Sequence, residues 1–268
     1  MLSHLISLSR ANLLMLLRDR LLQAVLGVAA VMLLLVPSLS TFSMRQVQEL
    51  AITLSLSSIS LVLLVLALLL GSSAVWRDIE RRYTASILAL PVSRATYLLA
   101  KFVSIGIFIV ACGALLGAAS VAVIAIASAQ YPSDIPIAWG NIMLAIGADI
   151  LKYLLLTAVA VLLSTVSTSF FLPFFGTVAI YLAGSASQEV YEYVTGQIGQ
   201  HFQPFQVSAI RIVYYLLPNF AAFNLKVHAV YALPVSAQAV FIPLLYAFTY
   251  GGILLGVAIW VFNRRELP

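Results

Sequence analysis

Two pairs of charged residues stand where the surrounding sequence is otherwise apolar, and each has a spacing that brings side chains together on a helix. Asp149 and Lys152 are three apart, as are Glu189 and Glu192, so each pair shares a helical face. An ionisable group beside lipid is costly, and it marks either a neutralising partner or a polar path. Asp149 and Lys152 read first as a structural pair near one membrane boundary, and otherwise as part of a polar exit or substrate contact. Glu189 and Glu192 read as a solvated helix face, and otherwise as an outer mouth that favours a cation.

Other chemistry finds no support in the spacing. A phosphate-binding loop needs a glycine-rich turn running into Lys and Ser or Thr, and Lys101, Lys152 and Lys226 lack that context. His4, His201 and His228 are far apart, with no H-E-x-x-H and no paired cysteines. His201 and His228 share one stretch, which leaves a weak metal contact open beside the plainer reading of surface histidines. No serine lies in G-x-S-x-G. Neither a catalytic residue, nor a metal, nor a cofactor is therefore expected in this chain.

The densest charge lies elsewhere, in WRDIERRYTASILALPVSRATYLLAK, residues 76 to 101. Ile79, Ile87 and Leu90 recur near one face of a helix spanning about Asp78 to Leu90, an apolar edge among charges of the kind that docks on a partner. Pro91 disfavours helix in the residue before it and ends that helix. Ser93 is placed to cap the next one. Glu80 and Arg94 flank the turn and are placed to pair.

Elements that would hold such a segment follow from composition. At 63% hydrophobic and 9% charged residues, with a mean hydropathy of +1.08, 268 residues have too little polar surface to cover a soluble globule. The expected fold class is an all-α integral membrane protein, because lipid leaves helices as the spanning form for long unbroken apolar runs. The net charge of +5 sits between apolar runs, where cations set orientation, so nucleic acid is discounted as a partner. One cysteine, Cys112, excludes an intrachain disulfide.

A hydrocarbon core about 30 Å thick takes ~20 helical residues, and six runs reach or approach that length: about 21–38, 51–74, 102–128, 140–165, 170–187 and 238–262. Residues 1–17, with Leu2, Ile6, Leu13 and Leu16 near one face and basic ends, suit an interfacial helix. The rival reading, a cleaved signal peptide with residues 21–36 as its core, needs an unusually long amphipathic charged region. With both termini in the cytoplasm, ten Lys and Arg fall inside and only Arg45, Arg211 and Lys226 outside, with Lys152 near a span end, as the positive-inside rule asks. The segment 188–237, with apolar runs broken by Pro204, Pro218 and Pro234, is expected to form short helices at the outer interface.

The charged segment resembles the first cytoplasmic loop of ABC-2-type transporter permeases. Glu80, Thr84, Leu88, Pro91, Ser93, Arg94 and Lys101 carry the likeness, with Tyr83 and Ala100 standing where glycine is common; YYLLPNFAAFNL, Tyr214 to Leu225, resembles sequence before the last span. The resemblance implies one transmembrane domain over 1–268, with residues 1–17 as an elbow helix. It extends to the type V exporters, with copper-enzyme maturation permeases as one relative. It further implies a cytoplasmic ABC ATPase subunit that holds ATP and Mg, a second permease copy forming a homodimer, surrounding membrane lipid and a periplasmic accessory protein, all at the bacterial inner membrane. Asp78, Glu80, Arg81, Thr84, Ile87, Leu90, Pro91, Arg94 and Lys101 would then dock on or couple to the ATPase. Two other classes remain beside it. An ion-coupled secondary transporter favours inverted repeats and deep charges, and a membrane-embedded lipid-modifying enzyme needs carboxylates or histidines clustered at one face.

Overall fold

The computed structural model describes residues 2–43, 46–80, 92–130, 135–196 and 203–265. Every element in them is helical: α1 (Leu2–Leu17), α2 (Arg20–Ser40), α3 (Val47–Ser73), α4 (Trp76–Glu80), α5 (Arg94–Gln130), α6 (Trp139–Val166), α7 (Phe171–Thr195), α8 (Pro204–Leu216), a 3-10 turn (Ala221–Phe223), α9 (Lys226–Val230) and α10 (Ala237–Arg264). Five of these are long and apolar enough to cross a membrane: Arg20–Ser40, the stretch Val47–Glu80, Arg94–Gln130, Trp139–Val166 and Ala237–Arg264. α7 has 25 residues, but Gly176, Thr177, Gly184, Ser185, Ser187 and Gln188 dilute its apolar character. The fold is the all-α membrane protein that composition demands.

Helices α3 and α6 form the middle of the bundle. α3 packs on α2, α5, α6 and α7, while α10 lies chiefly along α6. The burial follows: 61% of the α3 span and 67% of the α6 span are buried, against 22% for α2 and 6% for α10, whose apolar faces look outward as lipid requires. Small residues let the two central helices approach. A Cβ on Gly71 of α3 would meet the Ala160 Cβ at 2.5 Å. Gly113 and Gly117 of α5 face Ile150 and Ile146 of α6, so this GxxxG pair serves packing within the bundle. Around Gly252 and Gly256 of α10 a Cβ would find nothing within 4 Å.

Local chemistry sets the breaks. Asp19 separates α1 from α2 and caps the latter, accepting from the Leu21 N–H at 2.9 Å. Ser93 caps α5 as its position predicts, accepting from the Thr96 N–H at 3.2 Å. At the start of α8 the Gln206 side chain reaches back to accept from the Gln203 N–H at 3.1 Å, with Pro204 at the first position. The segment 188–237 thus holds short helices, α8, the 3-10 turn and α9, after the end of α7. α5 outruns the apolar stretch 102–128 at both ends, since its 37 residues reach ~55 Å, well beyond a core about 30 Å thick.

The bundle has two chemically distinct ends. At one, α1 lies against the start of α5, where Ser9 and Ser104 exchange hydrogen bonds with backbone carbonyls of the other helix. Arg94 there meets the end of α10. Both ends of the described chain therefore gather beside the charged segment. At the other, Asn141 at the start of α6 donates to the carbonyls of His228 and Leu233 at 3.0 and 2.8 Å, and Tyr191 stacks on Tyr214 with ring centroids 4.3 Å apart.

Candidate functional site

The charged segment enters the bundle through α4 and leaves it through α5, and three of its described charges, Asp78, Arg94 and Lys101, turn toward the bundle. Asp78 on α4 accepts from Lys101 at 2.7 Å and from the Tyr97 hydroxyl at 2.6 Å. Both charged side chains are close to seven-eighths buried, so the pair is shielded from the full screening of water. Lys101 also lies over the Tyr97 ring, 5.9 Å from its centroid. Since Tyr97 and Lys101 are one turn apart on α5, the three residues clamp α4 to the first turns of α5.

Arg94 takes a different partner from the Glu80 expected of it. Its guanidinium donates to the carbonyl oxygens of Phe262 and Asn263 at 3.1 Å each, and of Arg265 at 2.7 Å. These carbonyls lie at the negative end of the helix dipole, where acceptors outnumber backbone donors; the Phe262 oxygen has only the long 3.4 Å bond from the Arg265 N–H besides, so a cation adds both a donor and a favourable charge. Arg265 in turn donates to the Thr165 carbonyl at the end of α6 at 2.5 Å. Ser164 closes the circuit: its hydroxyl donates to the Ser72 carbonyl at 2.9 Å and accepts from the Val75 and Trp76 N–H groups at 3.2 and 3.1 Å. The ends of α3, α6 and α10 and the starts of α4 and α5 are thereby joined by polar contacts. Glu80 is exposed. Arg81, Thr84, Ile87, Leu90 and Pro91, and with them most of the expected Asp78 to Leu90 helix, lie outside the described residues.

A second polar group sits within the bundle toward the opposite end. Asp149 and Lys152 form an ion pair at 2.9 Å, with only 2% and 7% of the residues exposed. Lys152 lies 4.7 Å from the Tyr153 ring centroid, and the Tyr153 hydroxyl shares a 2.7 Å hydrogen bond with Ser60 of α3. Lys226, on α9, is within electrostatic reach of this pair; burial pushes its pKa down, Asp149 opposes that shift and Lys152 adds to it. Glu189 and Glu192 stand apart from this group, exposed on the end of α7, where Glu192 accepts from Gln188 at 2.6 Å. His201 lies outside the described residues.

The sequence model of the family described as ABC-2 family transporter protein matches residues 17–267. The chain belongs to the ABC-2 transporter family. No curated protein matches it. The permease is a multi-pass membrane protein and the membrane component of an ABC transport system, in a family that works with a cytoplasmic ATPase.

The permease also uses residues that sequence reasoning passed over. Tyr97 lies between Arg94 and Lys101 at helical spacings of three and four, a signal that could have placed it on their face. Lys226, by contrast, comes within electrostatic reach of Asp149 only through the tertiary fold.

Proposed function

We propose that this permease is the subunit through which a separate, cytoplasmic ATPase drives a substrate outward across the bacterial inner membrane, with both of its termini in the cytoplasm. α7 supplies a sixth crossing, α1 is the elbow helix at the cytoplasmic face, and two copies of the chain flank the substrate path. The observation that carries this reading is the clamp at the charged end: Asp78 with Lys101 and Tyr97, and Arg94 with the last turn of α10. A push on the charged segment is thereby shared among helices that reach the other end of the bundle. ATP and Mg bind the partner, and this chain contributes no catalytic group.

Within that reading the roles divide. Asp78, Arg94 and Lys101 transmit, being committed to contacts inside the bundle, while Glu80, Arg81, Thr84, Ile87, Leu90 and Pro91 dock. Asp149 and Lys152 hold the outer half of the path together, and the exposed Glu189 and Glu192 offer a surface to a periplasmic accessory protein. The test is copurification of the ATPase with the permease, followed by its nucleotide hydrolysis with and without the double substitution Ile87→Asp and Arg94→Glu. The variant is expected to insert normally and to lose ATPase binding or permease-dependent hydrolysis. Full assembly with unaltered hydrolysis overturns the docking role.

A further inference from the structure

Two cavities adjoin at the charged end, of about 420 Å³ and 640 Å³. They share Asp19, Leu70, Ser73 and Arg77 as a common wall. The larger lies between the start of α2, the end of α3, α4 and the turn that leads into α7. Its apolar wall includes Leu21, Leu22, Leu69, Leu70, Phe170 and Phe171; its charged lining residues are Asp19, Arg77 and Glu80, with Ser73, Trp76, Thr168 and Ser169 as the neutral polar ones. Leu21 and Phe171 are 66% and 68% exposed, so the cavity opens sideways between helices rather than only toward water. The result is a space with an apolar side and a charged end, placed where a spanning helix gives way to charged residues.

We propose that this groove holds the headgroup and upper acyl chain of a zwitterionic phospholipid that bears a primary ammonium, taken from the leaflet at the charged end. The charge pattern selects the occupant. Arg77 bonds Asp19 at 3.4 Å, long for a charge-assisted contact. A guanidinium has five N–H donors in a fork suited to phosphate, and the described contact of Arg77 uses one. Among the described residues that line the groove, the two carboxylates, Asp19 and Glu80, flank that cation and outnumber it by one. An anionic headgroup would meet repulsion from them. A primary ammonium beside a phosphate offers three donors to the carboxylates while its phosphate reaches Arg77, and a quaternary ammonium offers none. The apolar walls take the chain. Of its lining residues only Glu80 is also assigned to ATPase docking; the others come from α2, α3, α4 and the start of α7, and vesicles that hold the permease alone test the groove apart from docking.

Trp76 gives a direct readout, since it lines the groove and its indole N–H is held by the Thr168 carbonyl at 3.1 Å. The chain has three tryptophans, so Trp139→Phe with Trp260→Phe leaves Trp76 as the only emitter. The full chain is reconstituted in phosphatidylcholine vesicles containing increasing fractions of phosphatidylethanolamine or phosphatidylglycerol brominated near the carboxyl end of the acyl chain. Phosphatidylethanolamine is expected to quench Trp76 at a mole fraction about 2- to 5-fold lower than phosphatidylglycerol, the factor that one partly exposed ion pair supplies. Glu80→Gln, at an exposed position, and Asp19→Asn should each shrink that preference, and together remove it. Equal quenching by the two headgroups, a preference for phosphatidylglycerol, or a preference that survives both carboxylate replacements overturns the proposal and leaves only unselective contact with surrounding lipid.

Discussion

Arg94 opens α5, yet its guanidinium caps α10, bonding the carbonyls of Phe262 and Arg265 at 3.1 and 2.7 Å across more than 160 residues of sequence. A charged donor on the under-satisfied carbonyls of a helix end does two things: it adds a strong partner to acceptors that have at most one weak backbone bond, and it opposes the dipole. The consequence is mechanical. The last turn of α10 cannot move far from the start of α5 without losing these bonds.

Arg94→Ala should therefore loosen the end of α10 more than the start of α5, which keeps its Ser93 cap. The expected loss is ~1–2 kcal/mol, the lower part of the range for hydrogen bonds to charged groups because the contact is partly exposed. Hydrogen exchange of residues 260–264 is the measurement, with faster exchange expected there and Arg94→Lys intermediate. Unchanged exchange at those amides would show that the cap contributes nothing.

How much of this could be read beforehand differs between the backbone plan and the contacts. Apolar runs revealed the long helices because lipid penalises anything else, and Ser93 revealed its cap because capping is local. The Asp149 and Lys152 pair was visible as an i,i+3 spacing. Arg94 was readable as important but not as a C-cap, because its acceptors are backbone carbonyls, which no residue type advertises. Ser164 was hidden for the same reason: its three bonds go to main-chain groups of Ser72, Val75 and Trp76. The extent of α5 escaped as well, since hydropathy marks where lipid ends and not where a helix does.

Glycines of α3 and α10 should respond oppositely to a single methyl group. At Gly71 the new Cβ meets the Ala160 Cβ at 2.5 Å and the Thr157 carbonyl oxygen at 3.4 Å; neither is the end of a flexible chain, so the helices must part. Gly71→Ala is expected to cost ~1–3 kcal/mol, as overpacking does, whereas Gly252→Ala enters open space and should be neutral or slightly stabilising. Thermal unfolding in detergent compares them directly. A milder effect at Gly71 than at Gly252 would refute the close α3 and α6 approach.

The two ends of the bundle should also differ in accessibility. After Cys112→Ala, a cysteine at Glu192 is expected to react with a membrane-impermeant thiol reagent added to intact cells. A cysteine at Glu80 should react only once the membrane is opened. Both positions are exposed in the fold, so the difference reports sidedness rather than burial. The reverse pattern would invert the proposed orientation.

Removing either member of the Asp149 and Lys152 pair should not be equivalent, because Lys226 lies within electrostatic reach of both. Asp149→Ala leaves two cations together without a counter-charge, at a cost of ~3–5 kcal/mol for a broken buried pair. Lys152→Ala leaves Asp149 with Lys226 still nearby and should cost less than half as much. Denaturation midpoints of the two variants decide it, and equal losses would mean that Lys226 takes no part.

Lys226 makes the stability of the α9 end of the bundle depend on pH, with a definite sign. Its pKa is lowered, by burial first, with Lys152 adding and Asp149 opposing. In the window between that lowered value and the free-lysine value of about 10.4, the unfolded chain binds a proton that the folded chain gives up. Stability must therefore rise with pH across that window, and the contribution is least favourable below it, where the folded protein has to carry the buried charge. Lys226→Met removes the group from both states. The variant is expected to be more stable than the parent at neutral pH, and the gap should close as the pH approaches about 10.4. Thermal midpoints of both proteins, measured at several pH values in one detergent, supply the comparison; a gap that widens toward alkaline pH would reverse the sign and assign Lys226 a stabilising ion pair instead.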